Sequence, residues 1–364
     1  MTFGDKTALR YVITVRFIRT TIVDFLSKLI FKKQKKEYKK ILINRDGAFG
    51  DSIVALPSLS VIRQNHPSAQ IDLLSITNSQ VSFIELNLDK HLINKLYVVK
   101  KNERKYILKT LKKENYDLFI QIPQNIGIYK SARNMLLVRF YLNIKSAFGW
   151  DCGRVKSFMR QQKKYFRTPT ETYRFLYSLK KYNTDVTLNY PIIAKRPKEC
   201  VIENITSQKK IVVFLIGGKL QLKKWPSINW TKLANLIGDQ YKILILGGTD
   251  EKFEAEKIVS KTKNTDNFCS ELSIPELHYV LMKSQIAISN DTGAMHLCDV
   301  AKLKTIALFS TRDLSNKWHP NNKESIVIEK ILPCSFCLKT ICSNNICMTN
   351  ITPAEVYDAF EKLI

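Results

Sequence analysis

Asp291, Thr292 and Gly293 follow the apolar run of residues 286–288, and His296 stands one helical turn further on. A hydroxyl and unpaired N–H groups at the start of a helix form an anion site, because the first turn's N–H groups have no acceptor within the helix. Asp291 beside them suits sugar hydroxyls but repels phosphate, so an anion bound here sits offset toward the helix. A second group, Gly47, Gly50 and Asp51, follows the run KILIN at 40–44. Its glycines let backbone approach a ligand closely, and Asp51 is a carboxylate able to accept a proton. Asp51 fits equally well as a plain helix N-cap. The third group is Gly217-Gly218 with Lys219, Lys223 and Lys224, ahead of Trp225-Pro226. Ammonium groups here lie where phosphate would, although the spacing is not that of a P-loop, and a solvated loop is the competing reading.

These groups need elements to hold them. Short β-rich runs at 40–44, 71–76, 95–99 and 117–122, then at 211–218, 242–248, 286–290, 305–310 and 325–329, alternate with amphipathic stretches such as 103–115, 228–240 and 251–262. Alternation of this kind predicts α/β architecture with parallel sheets under helices. In such sheets ligands bind beyond the carboxyl ends of the strands, where all three groups fall. A chain of 364 residues suits two domains of about 150 with some extra. The prolines at 191 and 197 mark a linker, which divides the chain into an extension at 1–39, Rossmann-like domains at 40–195 and 196–350, and a closing helix at 351–364.

The formal charge of +26 implies an anionic partner: nucleic acid, an acidic membrane face or a phosphorylated substrate. Residues 1–40 carry eleven Lys and Arg against three acids. On a helical wheel Tyr11, Val15, Ile18, Ile22, Phe25, Leu26 and Leu29 share one face, with Arg10, Arg16, Arg19, Asp24 and Lys28 opposite. Followed by the lysine run at 32–40, this reads as a helix lying on an anionic membrane, or else docked on the protein's own surface. Arg16, Arg19 and Asp24 interrupt the apolar stretch and disfavour a secretory signal, and no window offers the ~18 apolar residues of a membrane span.

In order and spacing, the blocks RDGAFGDSIVALPSLSVIRQNHPSAQI, KKWPSINWTKLANLI with ILILGGTDEKFEAEKI, and ISNDTGAMHLCDVAKLKTIALFSTRD with WHP resemble glycosyltransferase family 9, the lipopolysaccharide heptosyltransferases and their relatives. The resemblance covers about residues 40–364 and implies a GT-B fold, two Rossmann-like domains facing across a cleft. It further implies an inverting, metal-independent transfer from a nucleoside-diphosphate sugar, such as ADP-heptose, to a lipid-linked saccharide at the cytoplasmic membrane face. By motif, Asp51 is the general base and Lys223 the cation on the donor phosphates. Thr292, Gly293 and His296 bind the pyrophosphate, Asp291 the donor sugar and Glu251 the ribose. The closing helix would cross back to the first domain. Two departures are the N-terminal extension and Ala294, where proline or leucine is usual in the family.

Four of the eight cysteines, Cys334, Cys337, Cys342 and Cys347, cluster near the C-terminus. They are compatible with a structural zinc or iron–sulfur site, local disulfides or reduced thiols, while Cys152, Cys200, Cys269 and Cys298 read as core residues. The competing functional class is a basic nucleic-acid-binding protein with a four-cysteine zinc module, although no recognised nucleic-acid motif is present. A nicotinamide-dependent oxidoreductase is disfavoured because no G-x-G-x-x-G follows any strand.

Overall fold

The computed structural model describes residues 3–32, 37–76, 83–100, 103–122, 127–150, 168–179, 188–199, 203 and 209–364. Cys152, Cys200, Lys33, Lys35 and Lys36, and the side chains of Arg10, Tyr11 and Arg16, lie outside the described set. The chain divides into two compact units, residues 7–192 and residues 193–364, with 1–6 counted in the latter.

The first unit is built on a five-stranded parallel sheet of β1 (Lys40–Asn44), β2 (Gln70–Ile76), β3 (Lys95–Val99), β4 (Leu118–Gln121) and β5 (Ser146–Phe148), in the order β3-β2-β1-β4-β5. Helix α1 (Phe3–Ile30) precedes the sheet. α2 (Phe49–Ile53) and α3 (Leu56–Asn65) lead from β1 to β2, α4 (Arg104–Lys113) from β3 to β4 and α5 (Gly127–Leu136) from β4 toward β5; α6 (Glu171–Ser178) follows. β4 is buried along its whole length and β1 from Ile41 onward, as befits central strands covered on both sides. The sequence order reverses between β1 and β4, so the topological switch point lies at their carboxyl ends. There the Asn44 amide donates to Gln121 Oε1 at 3.0 Å, while Gln121 Nε2 returns a bond to the Asn44 carbonyl at 3.2 Å. Gly149, at φ +99°, comes so close that a Cβ would stand 2.0 Å from the Gln121 carbonyl oxygen.

The second unit holds a six-stranded parallel sheet of β6 (Lys210–Leu215), β7 (Tyr241–Leu246), β8 (Thr265–Asn267), β9 (Ile286–Asn290), β10 (Thr305–Phe309) and β11 (Ile326–Glu329), in the order β11-β10-β9-β6-β7-β8. Its connections include α7 (Ser227–Ile237), α8 (Lys252–Val259), α9 (Ile274–Met282) and α10 (Gly293–Val300), and the chain closes with α11 (Ile346–Thr349) and α12 (Pro353–Glu361). The switch point falls between β6 and β9. α12 starts as its sequence suggests, with Thr352 Oγ1 accepting from the Glu355 N–H. Val356, Ala359 and Phe360 belong to the second unit's core, with Phe360 edge-on to Tyr241 at 5.2 Å.

All nine runs read as strands are strands, and β5 and β8 are additions. Each has only three residues, and neither SAF nor TDN forms an apolar run. Their pairing with β4 and β7, and not their composition, makes them strands.

Candidate functional site

Both switch points carry charged groups. In the first unit the chain leaves β1 at Arg45 and enters α2 at Phe49, with Ala48 as its N-cap. Asp51 is therefore not the N-cap. It lies at the third helical position and reaches back, Oδ2 accepting from the Ala48 N–H at 3.2 Å. Its other oxygen accepts from Arg45 Nη2 at 3.0 Å. The Asp51 side chain is 35% exposed against 5% for Arg45, so the cation is the buried member and the carboxylate is the one presented outward. The Arg45 guanidinium lies over the Phe175 ring at 4.5 Å. Burial lowers its pKa, opposed by the charges of Asp51 and Glu171, and Glu171 is itself paired with Arg174. Gly47 is required by proximity, since a Cβ there would fall 2.4 Å from the Asp51 Cβ. Gly50 lies inside the first turn of α2, where its carbonyl accepts from Val54.

In the second unit the organising residue is Asn290, the fully buried last residue of β9. Its amide donates to the Ile216 carbonyl at 2.7 Å, and its Oδ1 accepts from the Trp225 N–H at 3.1 Å, which pins the 217–225 loop to the switch point. Trp225 also donates from its indole to the Ile351 carbonyl at 2.9 Å and packs edge-on to Trp230 at 5.0 Å. Anchored in this way, the loop sets Lys223 against Asp291 at 2.6 Å and Lys224 against Glu251 at 2.7 Å. Both Glu251 oxygens are engaged, because Oε2 also accepts from the Gly248 N–H at 3.0 Å. Gly247 admits Glu251 so closely that a Cβ there would meet the Glu251 Cβ at 2.9 Å.

Thr292 is the N-cap of α10 in an extended conformation, and its side chain makes no capping hydrogen bond among the described residues. Gly293 opens the helix with it, half-buried. His296 is different from what its spacing suggests. It is only 4% exposed, with its ring 6.0 Å from that of Trp318, so it forms part of the floor of the site and not its open wall. The structure thus gathers Lys223, Asp291, Thr292, Gly293 and His296 at one strand-end cluster with Glu251 beside it, and places Asp51, Gly47 and Gly50 in the other unit.

Arg45 and Asn290 were not singled out from sequence. Each ends or follows a predicted strand in a polar step, Asn44-Arg45 and Asn290-Asp291, and that shared pattern is the signal available.

The cysteine cluster does not meet the expectation of a metal cage. Among the described residues no group of three or more His, Cys, Asp or Glu is placed to hold an ion. Cys334, Cys337, Cys342 and Cys347 are free thiols, the first three exposed and Cys347 packed against the second unit's core. Burial pushes the Cys347 thiol up, with smaller contributions from Cys334 and Cys337. The nucleic-acid alternative therefore has no zinc module among the described residues. Cys269 and Cys298 are buried core thiols, as expected, each pushed up to about 12 by desolvation.

Comparison with known proteins agrees with this architecture. The model of glycosyltransferase family 9 (heptosyltransferase) matches residues 104–347. Lipooligosaccharide heptosyltransferase 2 of Campylobacter jejuni is 24% identical over 340 residues, which cover 89% of this chain and 98% of that protein. Among solved structures, a family 9 glycosyltransferase from Veillonella parvula superposes with a TM-score of 0.68 at 18% identity, covering 91% of this chain and 98% of its own. An Escherichia coli heptosyltransferase with ADP does so with a TM-score of 0.64 at 20% identity, covering 89% and 100%. The fold is the GT-B fold of these neighbours, and the chain belongs to glycosyltransferase family 9, the heptosyltransferase family.

Proposed function

We propose that this protein is an inverting, metal-independent heptosyltransferase that moves heptose from ADP-heptose to a lipid-linked core saccharide at the cytoplasmic face of the membrane. The observation that carries this reading is the pairing of family membership with Asp51, a carboxylate held by two donors at a switch point and still presented outward. Asp51 takes the proton from the acceptor hydroxyl as its oxygen attacks the anomeric carbon. The bond from that carbon to the diphosphate breaks, and the nucleotide leaves with the electron pair. Inversion requires base and leaving group on opposite faces of the sugar, and Asp51 and Lys223 belong to different units.

On this reading Lys223 changes partner, leaving Asp291 for the donor diphosphate, while the N–H groups at the start of α10 and Thr292 take the remaining phosphate oxygens. Asp291, released, accepts from the sugar hydroxyls. His296 supports the pyrophosphate from the floor and Glu251 accepts from the ribose. None of these steps calls on a metal. ADP-bound and ADP-heptose-analogue-bound neighbours of the same fold support the choice of donor.

The test is transfer by the purified protein from ADP-heptose to a heptose-deficient lipid-linked core, read by mass spectrometry, with the anomeric configuration of the product read by NMR. A parallel thermal-shift panel compares ADP, GDP, UDP and CMP, since a ligand at a hundred times its Kd stabilises by about 2.7 kcal/mol. Stabilisation by ADP alone, with transfer abolished in Asp51→Asn, is the expected result. Stabilisation by another nucleotide only, or a retained anomeric configuration, would sink it.

A further inference from the structure

Helix α1 has two apolar faces where its sequence suggests one. Val23 and Ser27 are buried, and Leu26 and Ile30 pack against the first unit's core. Phe31 just beyond is stacked on Trp150 at 5.2 Å, and Trp150 in turn on Phe119 at 5.4 Å, which ties the helix end to β4. The helix is thus docked on its own protein. Yet Ile18, Ile22, Phe25 and Leu29 remain 50%, 40%, 61% and 67% exposed. Their spacing of four, three and four residues makes a single straight stripe along the outward side. Leu26, expected within that stripe, belongs to the docked face instead.

We propose that this outward stripe is a bilayer-docking surface that inserts between anionic phospholipid headgroups, with the docked face holding the helix flat in the interface. Charge complementarity selects this occupant. At 3.6 residues per turn Arg19 and Lys28 fall about 90° to either side of the stripe, and both are exposed. Their stems can lie along the acyl boundary while their heads reach lipid phosphates. Asp24, paired with Lys28 across one turn, is the lone acid on the described outward part of the helix. Directly after the stripe the sequence runs KKQKKEYKK, with six cations and one acid at 32–40. A basic run at the end of an apolar stripe suits a negatively charged leaflet. A second copy presenting the same helix would need an acidic complement to that run, and Asp24 is the one acid its described outward part offers.

This surface deepens the membrane part of the proposed reading and is tested without donor or acceptor, so its failure leaves transfer untouched. The full chain is co-sedimented with vesicles of phosphatidylcholine alone and of phosphatidylcholine with one quarter phosphatidylglycerol. Wild type is expected to pellet with the anionic vesicles only, less so at high salt. Phe25→Glu/Leu29→Glu should lower partitioning by more than about tenfold at an unchanged Tm, since both side chains are already in water. Arg19→Glu/Lys28→Glu should weaken anionic binding without creating binding to neutral vesicles. Wild type that does not pellet, or Phe25→Glu/Leu29→Glu that pellets as wild type does, overturns the proposal. So does a concentration-dependent dimer in sedimentation velocity that this variant abolishes, because the stripe's occupant is then a second copy.

Discussion

Asp51 and Glu251 are held by the same local device in different units. Each sits at the third position of a short helical turn after a glycine-containing strand end. Each accepts from the N–H three residues back, at 3.2 Å from Ala48 and 3.0 Å from Gly248. Each is paired with a basic side chain, Arg45 at 3.0 Å and Lys224 at 2.7 Å. The difference is exposure, 35% for the Asp51 side chain against 11% for Glu251. Behind Asp51 the cation is buried and the carboxylate faces out, whereas around Glu251 the carboxylate is enclosed and the loop closes over it. The same backbone device therefore yields one carboxylate presented outward to take a proton and one enclosed to hold a loop at the donor site, and exposure is what separates their roles.

The most severe way to break that contrast is Asp51→Asn. The amide keeps the shape but cannot take a proton, so kcat should fall by about 10²–10⁴-fold with ADP binding by thermal shift unchanged. A matching loss of ADP binding would show that Asp51 serves the fold or the donor and not the proton transfer. Next in size is Lys223→Met. Losing one charge-assisted contact of about 1.5–3 kcal/mol should weaken ADP by roughly 10–100-fold, measured by calorimetry. Asp291 is left without its cation in this variant, so the free protein should also lose Tm. If ADP affinity is unchanged, Lys223 belongs to Asp291 permanently and does not change partner.

Arg45→Met acts through Asp51. The fold should lose about 1–3 kcal/mol, less than for a fully buried pair, because the stranded carboxylate reaches solvent. kcat should also fall severalfold at an unchanged donor KM, since the carboxylate has lost the donor that holds it in place. A purely structural Arg45 would lower Tm and leave kcat where it was. Arg45→Lys, keeping a cation without the two-pronged guanidinium, should restore kcat more fully than the stability.

Where the sequence was informative follows from what its patterns encode. Apolar runs mark buried central strands, so β1, β4, β6, β7, β9 and β10 could be read, and with them the strand ends that carry Asp51, Lys223 and Asp291. β5 and β8 escaped because three residues, SAF and TDN, are too few to show an apolar run, whereas the equally edge-placed β3 and β11 carry KLYVV and IVIE. Arg45 escaped because a nearly fully buried arginine obeys no periodicity. Its place depends on Phe175 and Glu171, more than a hundred positions away. Asn290 escaped for a similar reason, since its bonds go to Ile216 and Trp225 in another segment. His296 was legible as a neighbour of the anion site, but its burial under Trp318 was not, because that contact comes from beyond β10. α1 showed its stripe plainly, yet the second apolar face appears only against the core that covers it.

The smallest effect, and the sharpest test of the two carboxylates, belongs to Glu251→Gln. The amide oxygen can still accept from Gly248, while the Lys224 pair is lost. Stability should fall by about 1 kcal/mol, or roughly 2–4 °C in Tm for a domain of this size. Lys224, released from Glu251, no longer ties down the loop it shares with Lys223. Donor KM should rise severalfold through the lost ribose acceptor and the loosened loop, while kcat stays within about threefold of wild type, the signature of an interaction made equally in ground and transition states. A fall in kcat comparable to that of Asp51→Asn would erase the distinction drawn from exposure, since the enclosed carboxylate would then take part in the chemistry as fully as the presented one.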